Sequence, residues 1–161
     1  MPLIRNGEEA VNTWLHVETG EAGETPNGIT VPLEAFLEKR DTLLARNTPL
    51  GVRLEPDDDP CRLAGDLDRL SLIEIAFPRY TDGRGYSTAQ LLRRRLGYRG
   101  ELRAVGHVLR DQLLYMHRSG FDAFETERAQ IACVQDALGE FSSFYQPAAD
   151  GHRHVFARRH T

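Results

Sequence analysis

The chain is expected to fold as a single α/β domain, a five-stranded parallel sheet with flanking helices in a flavodoxin-like, doubly wound order. Three observations carry this expectation. Its 161 residues suffice for one substantial hydrophobic core and are too few for two. Hydrophobic content of 40% beside 27% charged residues is ordinary globular composition. Short β-branched or apolar runs alternate with segments of helical periodicity, the pattern of βα units. Periodicity does not report strand order, so a partial, barrel-like (βα) arrangement is the alternative. The domain is expected over residues 1–141, with residues 142–161 as a C-terminal tail.

The first strand is expected over 13–18, followed by a Gly/Glu/Pro/Asn-rich exposed loop over 19–28. Pro32 fits a first helical turn, and Leu33, Phe36, Leu37, Leu43 and Leu44 recur at helical spacing, which predicts a helix over 32–46. Residues 50–54 read as a second strand, closed by Glu55-Pro56-Asp57-Asp58-Asp59-Pro60, and a short helix follows over 60–69. Residues 70–77 are the most apolar strand, as in a central strand covered on both faces. Glu74 interrupts it and needs a partner or a strand end. Ser87 and Gln90 have the spacing of a capping box, so a helix is expected to start at Ser87 and to stop at Gly97. Residues 102–105 make the fourth strand, 108–118 a helix ending before Gly120, 121–124 the fifth strand and 126–138 the last helix.

No apolar stretch approaches the roughly 20 residues that cross a bilayer. Residues 1–9 turn acidic quickly and lack the layout of a secretory signal, so a cytoplasmic location is expected. Two isolated cysteines, Cys61 and Cys133, exclude a four-cysteine iron–sulfur or metal site within one chain, and both are expected to be small buried side chains. The histidines show no grouping with acidic residues, and no structural metal is expected.

The net charge of -4 hides an asymmetry: residues 1–75 hold 15 acidic against 7 basic residues, whereas 79–118 hold 9 arginines against Asp82, Glu101 and Asp111. A basic segment in an acidic chain points to a small anionic ligand or an acidic partner surface rather than to nucleic acid. Arg93, Arg94 and Arg95 are expected to solvate a helix face.

In parallel α/β folds, ligands bind beyond the carboxyl ends of the strands. Asp82, Gly83, Arg84, Gly85 and Ser87 follow the third strand: the glycines permit close approach, Arg84 offers a bidentate donor, and helix-start N–H groups add positive character. They form a candidate cradle for sulfite, sulfate, phosphate or a carboxylate. Arg103, inside the fourth strand, needs a partner from Asp82, Asp111 or Glu74 if buried. His107, Arg110 and Asp111 follow that strand, and Glu125 and Glu127 follow the fifth. A helix start disfavours the charged form of His107 and suits it to act as a general base.

The runs Leu50-Gly51-Val52, Pro56-Asp57-Asp58-Asp59-Pro60, Thr81-Asp82-Gly83-Arg84-Gly85-Tyr86-Ser87, Leu96-Gly97-Tyr98-Arg99-Gly100-Glu101-Leu102-Arg103-Ala104 and Gly120-Phe121-Asp122-Ala123-Phe124 carry a resemblance. Over residues 50–125 the chain resembles the bacterial domain-of-unknown-function family nine-three-four, whose members are described as candidate oxidoreductases of sulfite reduction. The resemblance implies an oxidoreductase or accessory protein of assimilatory sulfite reduction, with sulfite reductase or another sulfur-assimilation enzyme as partner. It supplies no catalytic residues and no cofactor. Where the family carries an aspartate this chain has His107, which favours a capping role over a general base. The alternative expectation is a non-catalytic binding or regulatory module for a sulfur or phosphate metabolite; a structural subunit supporting homo-oligomerisation is the third.

Overall fold

Six strands lie in unbroken chain order, each parallel to the next, and a hairpin extends the sheet they form. In the computed structural model, which describes residues 3–19, 27–125, 136–139, 144, 146–151 and 155, the elements are β1 (Leu3–Arg5), β2 (Glu8–Ala10), β3 (Leu15–His16), β4 (Ile29–Pro32), α1 (Leu33–Glu38), α2 (Arg40–Leu44), β5 (Leu50–Leu54), β6 (Leu72–Phe77), α3 (Arg84–Gln90), β7 (Glu101–Gly106), α4 (Leu113–Ser119) and β8 (Ala123–Glu125). The eight-stranded sheet has the order β2-β1-β8-β7-β6-β5-β4-β3, with β1 antiparallel to both neighbours. Asn6 and Gly7, at φ 51° and 82°, make the β1–β2 turn, the positive-φ pair that a two-residue hairpin requires.

This topology corrects the five-stranded, flavodoxin-like expectation. A doubly wound sheet reverses its strand order once and so covers both faces; sequential parallel strands keep their crossovers on one face and favour a barrel-like curl. The connectivity demands that curl. Ala10 ends a strand at one edge of the sheet and Leu15 begins the strand at the other edge. The residues between them span at most about 18 Å, whereas eight flat strands would hold those edges about 34 Å apart. Asn12 in this link accepts a hydrogen bond from Arg103 of β7 at 3.1 Å, so the link runs close to a strand from the middle of the sheet.

One sheet face is apolar. Ile29 and Val31, Val52 and Leu54, Ile73, Ile75 and Phe77, Leu102 and Ala104, and Phe124 join Leu33, Phe36, Ala89, Leu92, Leu113 and Met116 from the helices in one core, where each large side chain contributes about 1.5–3 kcal/mol on burial. The alternate residues of the same strands face the other way and include Arg53, Glu74 and Arg103.

Local chemistry shifts several element bounds. The helix expected over 32–46 breaks at Lys39 into α1 and α2. The segment 60–69 forms two 3-10 turns, Pro60–Leu63 and Leu67–Arg69, the first opened by Asp59, whose Oδ1 accepts from Cys61 N at 2.9 Å. Cys61 is exposed rather than buried; Cys133 lies outside the described residues. The helix expected at Ser87 begins earlier, at Arg84 with Gly83 as its N-cap, so Ser87 is an exposed helical residue and the Ser87–Gln90 capping box does not form. The helix ends in a π turn, Leu91–Arg95, before Gly97 at φ 71°. Residues 136–139 are helical; the rest of the segment expected as the final helix, 126–135, lies outside the described residues. Described parts of the tail dock on α4: Arg118 lies over the Phe144 ring at 3.7 Å and its Nη2 donates to Gln146 O at 2.7 Å.

Gly85 is needed for packing rather than for a positive φ. A Cβ there would stand 2.5 Å from Phe77 Cζ and 2.8 Å from its Cε1, so only glycine lets α3 lie this close to β6. Gly85→Ala is expected to lower stability by about 1–3 kcal/mol through overpacking, and Gly85→Val by more, as a shift of the urea midpoint at constant m-value.

Candidate functional site

Register alone assembles a charged row across the second face. Arg53 of β5 pairs with Glu74 of β6, Glu74 with Arg103 of β7, Arg103 with Ala123 of β8, and Ala123 with Arg5 of β1. Side chains directly opposite in a sheet share a face. Arg53 Nε donates to Glu74 Oε2 at 2.9 Å, and Arg103 Nη1 lies 3.6 Å from Glu74 Oε1. Arg103 Nε and Nη2 donate to Glu101 Oε1 at 2.9 and 2.6 Å, and Arg5 Nε stands 2.8 Å from Glu101 Oε2. Arg103 is fully buried, 0% exposed, and Glu74 nearly so. The ladder alternates in sign, so each buried charge has an opposite neighbour, which is the condition for ions to persist inside a protein. Arg103 thus finds its partners in Glu74 and Glu101; Asp82 and Asp111 play no part.

Above this row, at the carboxyl ends of the strands, lies a cavity of about 320 Å³ lined by Arg53, Glu55, Ala76, Val105, Gly106 and Glu125, among others. Ala76 and Val105 are register partners, and Val105 stands beside Glu125 by continuation of the β7–β8 ladder. Gly106, at φ 96°, is required here: a Cβ would meet Phe77 O at 2.6 Å. His107 N donates to that same carbonyl at 2.8 Å, and His107 itself is exposed.

The turn after β6 sits on the opposite, helix-bearing side, since Gly85 packs on Ile75 and Phe77. Asp82, Gly83, Arg84 and Ser87 are therefore not brought together with Arg103. Arg84 donates to Asp82 from Nε at 3.0 Å and from Nη2 at 2.7 Å, while its Nη1 bonds Asp57 of the preceding loop. The guanidinium is neutralised by its own neighbours. Arg110 and Asp111 lie exposed on a 3-10 turn, Arg110–Gln112, which Gln112 fastens to the β6 loop by donating from Nε2 to Tyr80 O at 2.7 Å. Asp111 adds to the burial that pushes the Tyr86 phenol up. Glu127 lies outside the described residues.

Hydrogen bonds from the Arg84 side chain, then from its backbone N–H, hold the Asp82 carboxyl at about 2, below its ordinary 3.8. A carboxyl whose value falls on folding contributes stability that is complete above the unfolded value and is lost as pH drops through the folded one. Carboxyl-carbon NMR is expected to give Asp82 a midpoint near 2, and Asp82→Asn to remove that part of the acid dependence of unfolding.

Sequence reasoning missed Arg53 and Glu55. The available signal was the shared period of Leu50–Leu54, Leu72–Phe77 and Glu101–Gly106, in which apolar residues alternate with Arg53, Glu74 and Arg103. It missed Arg93 too. Instead of solvating a helix, Arg93 donates from Nε to Gly120 O at 2.9 Å, from Nη1 to Tyr98 O at 2.8 Å and Gly100 O at 2.9 Å, and from Nη2 to Asp122. Burial pushes the Tyr98 phenol well above its usual range, and its hydroxyl lies 3.2 Å from Leu70 O.

Fold and cavity define an α/β domain with a curled, mixed eight-stranded sheet, sequentially wound through β3 to β8, and a small cavity of mixed charged and apolar lining at the carboxyl ends of its parallel strands. Among the described residues, no helix is long and apolar enough to cross a membrane. The chain belongs to the family described as Bacterial protein of unknown function (DUF934), whose model matches residues 51–156. A search of curated proteins finds no match.

Proposed function

We propose that this protein is a small-ligand-binding accessory module of assimilatory sulfite reduction, which receives an anionic group of its ligand at Arg53 in the cavity above the charge ladder. The observation that supports binding there is the state of Arg53. Its Nε is fixed on Glu74, and among the described residues neither terminal nitrogen donates a hydrogen bond, which leaves a preoriented, doubly charged-assisted edge for a ligand. In Arg84 and Arg103, by contrast, both terminal nitrogens already donate, to Asp57 and Asp82 in the first and to Asn12 and Glu101 in the second. Binding at the carboxyl ends of parallel strands agrees with the general behaviour of such sheets. The sulfite-reduction setting rests on the resemblance carried by residues 50–125.

Thermal unfolding with sulfite, sulfate, phosphate, adenylyl sulfate, flavin and nicotinamide nucleotides tests the binding reading, because a ligand at 100 times its Kd stabilises by about 2.7 kcal/mol. The gain is expected to vanish in Arg53→Ala and to survive in Arg84→Ala. The reverse pattern would move the site to the Asp82–Ser87 turn. Co-purification with sulfite reductase, and a sulfite-dependent growth defect on deletion, test the setting separately.

A further inference from the structure

We infer that the ligand of this cavity is zwitterionic, a free α-amino acid with a small uncharged side chain, whose carboxylate meets Arg53 and whose ammonium meets Glu55 and Glu125. The inference rests on the cavity being the binding site and narrows what it takes. Its charged lining is one cation and two anions, Arg53 against Glu55 and Glu125. Two residues apart on one chain, Arg53 and Glu55 share a sheet face, with Glu55 about 7 Å further towards the strand ends. Register carries that outer level across the sheet, since Leu54 pairs with Ile75, Ala76 with Val105, and Ala104 with Phe124. Glu55 and Glu125 therefore flank Ala76 and Val105 at one height, and Arg53 lies one level below.

Each charge has a different fate. Arg53 is already held by Glu74 beside it on the neighbouring strand, so its remaining edge accepts one carboxylate. Among the described residues, no ion pair joins Glu55 or Glu125 to a cation; Arg53 and Arg5 are paired with Glu74 and Glu101 instead. A bare oxyanion at Arg53 would stand beside two unneutralised carboxylates, whose repulsion in a partly enclosed site opposes it. An amino acid brings its own cation to that place. Both signs are then matched, and the apolar patch of Ala76 and Val105, walled by Pro78, receives the side chain. The cavity volume falls within the range of small-molecule sites.

Isothermal titration of the full chain with L-alanine, L-serine and L-methionine tests this, alongside N-acetyl-L-serine, which lacks the cation, L-serinamide, which lacks the anion, and sulfite, which is anion alone. The amino acids are expected to bind, and N-acetylation or amidation to weaken L-serine by about tenfold or more, the worth of one charge-assisted contact. Glu55→Gln and Glu125→Gln are expected to weaken L-serine similarly and to leave sulfite and N-acetyl-L-serine unchanged or tighter; Arg53→Ala is expected to abolish all binding. Sulfite or N-acetyl-L-serine binding as tightly as L-serine, through Arg53, would overturn the zwitterion assignment and leave the anion site standing. No heat from any amino acid or anion would overturn both. The ligand series gives its answer on the unaltered protein, whatever the fate of the variants.

Discussion

Arg103→Ala is expected to lower the unfolding free energy by about 3–5 kcal/mol, the cost of removing one partner from a buried ion pair. A domain of this size has about 5–15 kcal/mol in total, so the variant approaches the limit of folding. The size of the effect follows from geometry. Arg103 is wholly buried and contacts Glu101, Glu74 and Asn12. Its loss leaves Glu74 and Glu101 sharing only Arg53 and Arg5, with a void where the stem had been. Removing the charge from both members separates the two contributions: Glu74→Gln combined with Arg103→Met is expected to recover much of the loss, since a buried pair replaced as a unit is often near neutral. Urea unfolding of the two singles and the double measures this. A loss below about 1 kcal/mol in Arg103→Ala, the range of an exposed pair, would show that the ladder is hydrated rather than enclosed.

Arg93→Ala is expected to cost about 3 kcal/mol, by the same logic at the opposite end of the strands. One guanidinium gathers three carbonyls and a carboxylate from the entry to β7 and the entry to β8, and its side chain is 13% exposed. Each of those carbonyls would otherwise need another donor. Arg93→Lys is expected to recover only a part, because a single ammonium lacks the planar fork that reaches several segments at once. Arg93 lies at the amino ends of the strands and the cavity at their carboxyl ends. Unfolding should therefore become easier in Arg93→Lys while affinity at 25 °C is unchanged; a parallel loss of affinity would mean that the two ends of the sheet are coupled.

The middle of the chain was legible because its strands are long and strongly patterned. Leu50–Leu54, Leu72–Phe77 and Glu101–Gly106 lie where apolar alternation places them, and Gly97 and Gly120 end their helices at φ 71° and 110°. Among the strands of two to four residues, β3 and β8 fall in or beside the segments expected over 13–18 and 121–124, whereas β1, β2 and β4 went unseen, although Asn6-Gly7 is a strong hairpin signal. Strand order was hidden for a different reason: it depends on which way each crossover returns, which local sequence does not encode. The clue lay in Arg53, Glu74 and Arg103. Three charges at matched positions in three strands exclude a sheet covered by apolar helices on both faces, and they mark the face that the curl encloses.

The proposed cavity lies at the end of the strands that the sequence pointed to, and on the opposite side of the sheet from the Asp82–Ser87 turn. The Asp82–Ser87 turn stands out in sequence through its glycines and arginine, yet Arg84 is spent on Asp82 and Asp57, and Gly85 serves the approach of α3 to Phe77. Ser87 caps nothing because Asp82, accepting from Arg84 N at 3.1 Å, starts the helix three residues earlier than the Ser87–Gln90 spacing implied. Arg53 drew no attention, since a charge near a strand end reads as solvent-facing until register puts it opposite Glu74, and Glu55 reads as part of the acidic loop that follows.

Amide chemical-shift mapping with L-serine tests most directly whether the cavity over the charge ladder is the binding site. The largest shifts are expected to cluster at Arg53, Glu55, Ala76, Val105, Gly106 and Glu125 and to disappear in Arg53→Ala. Shifts confined to Asp82–Ser87, with those cavity residues unmoved, would contradict it.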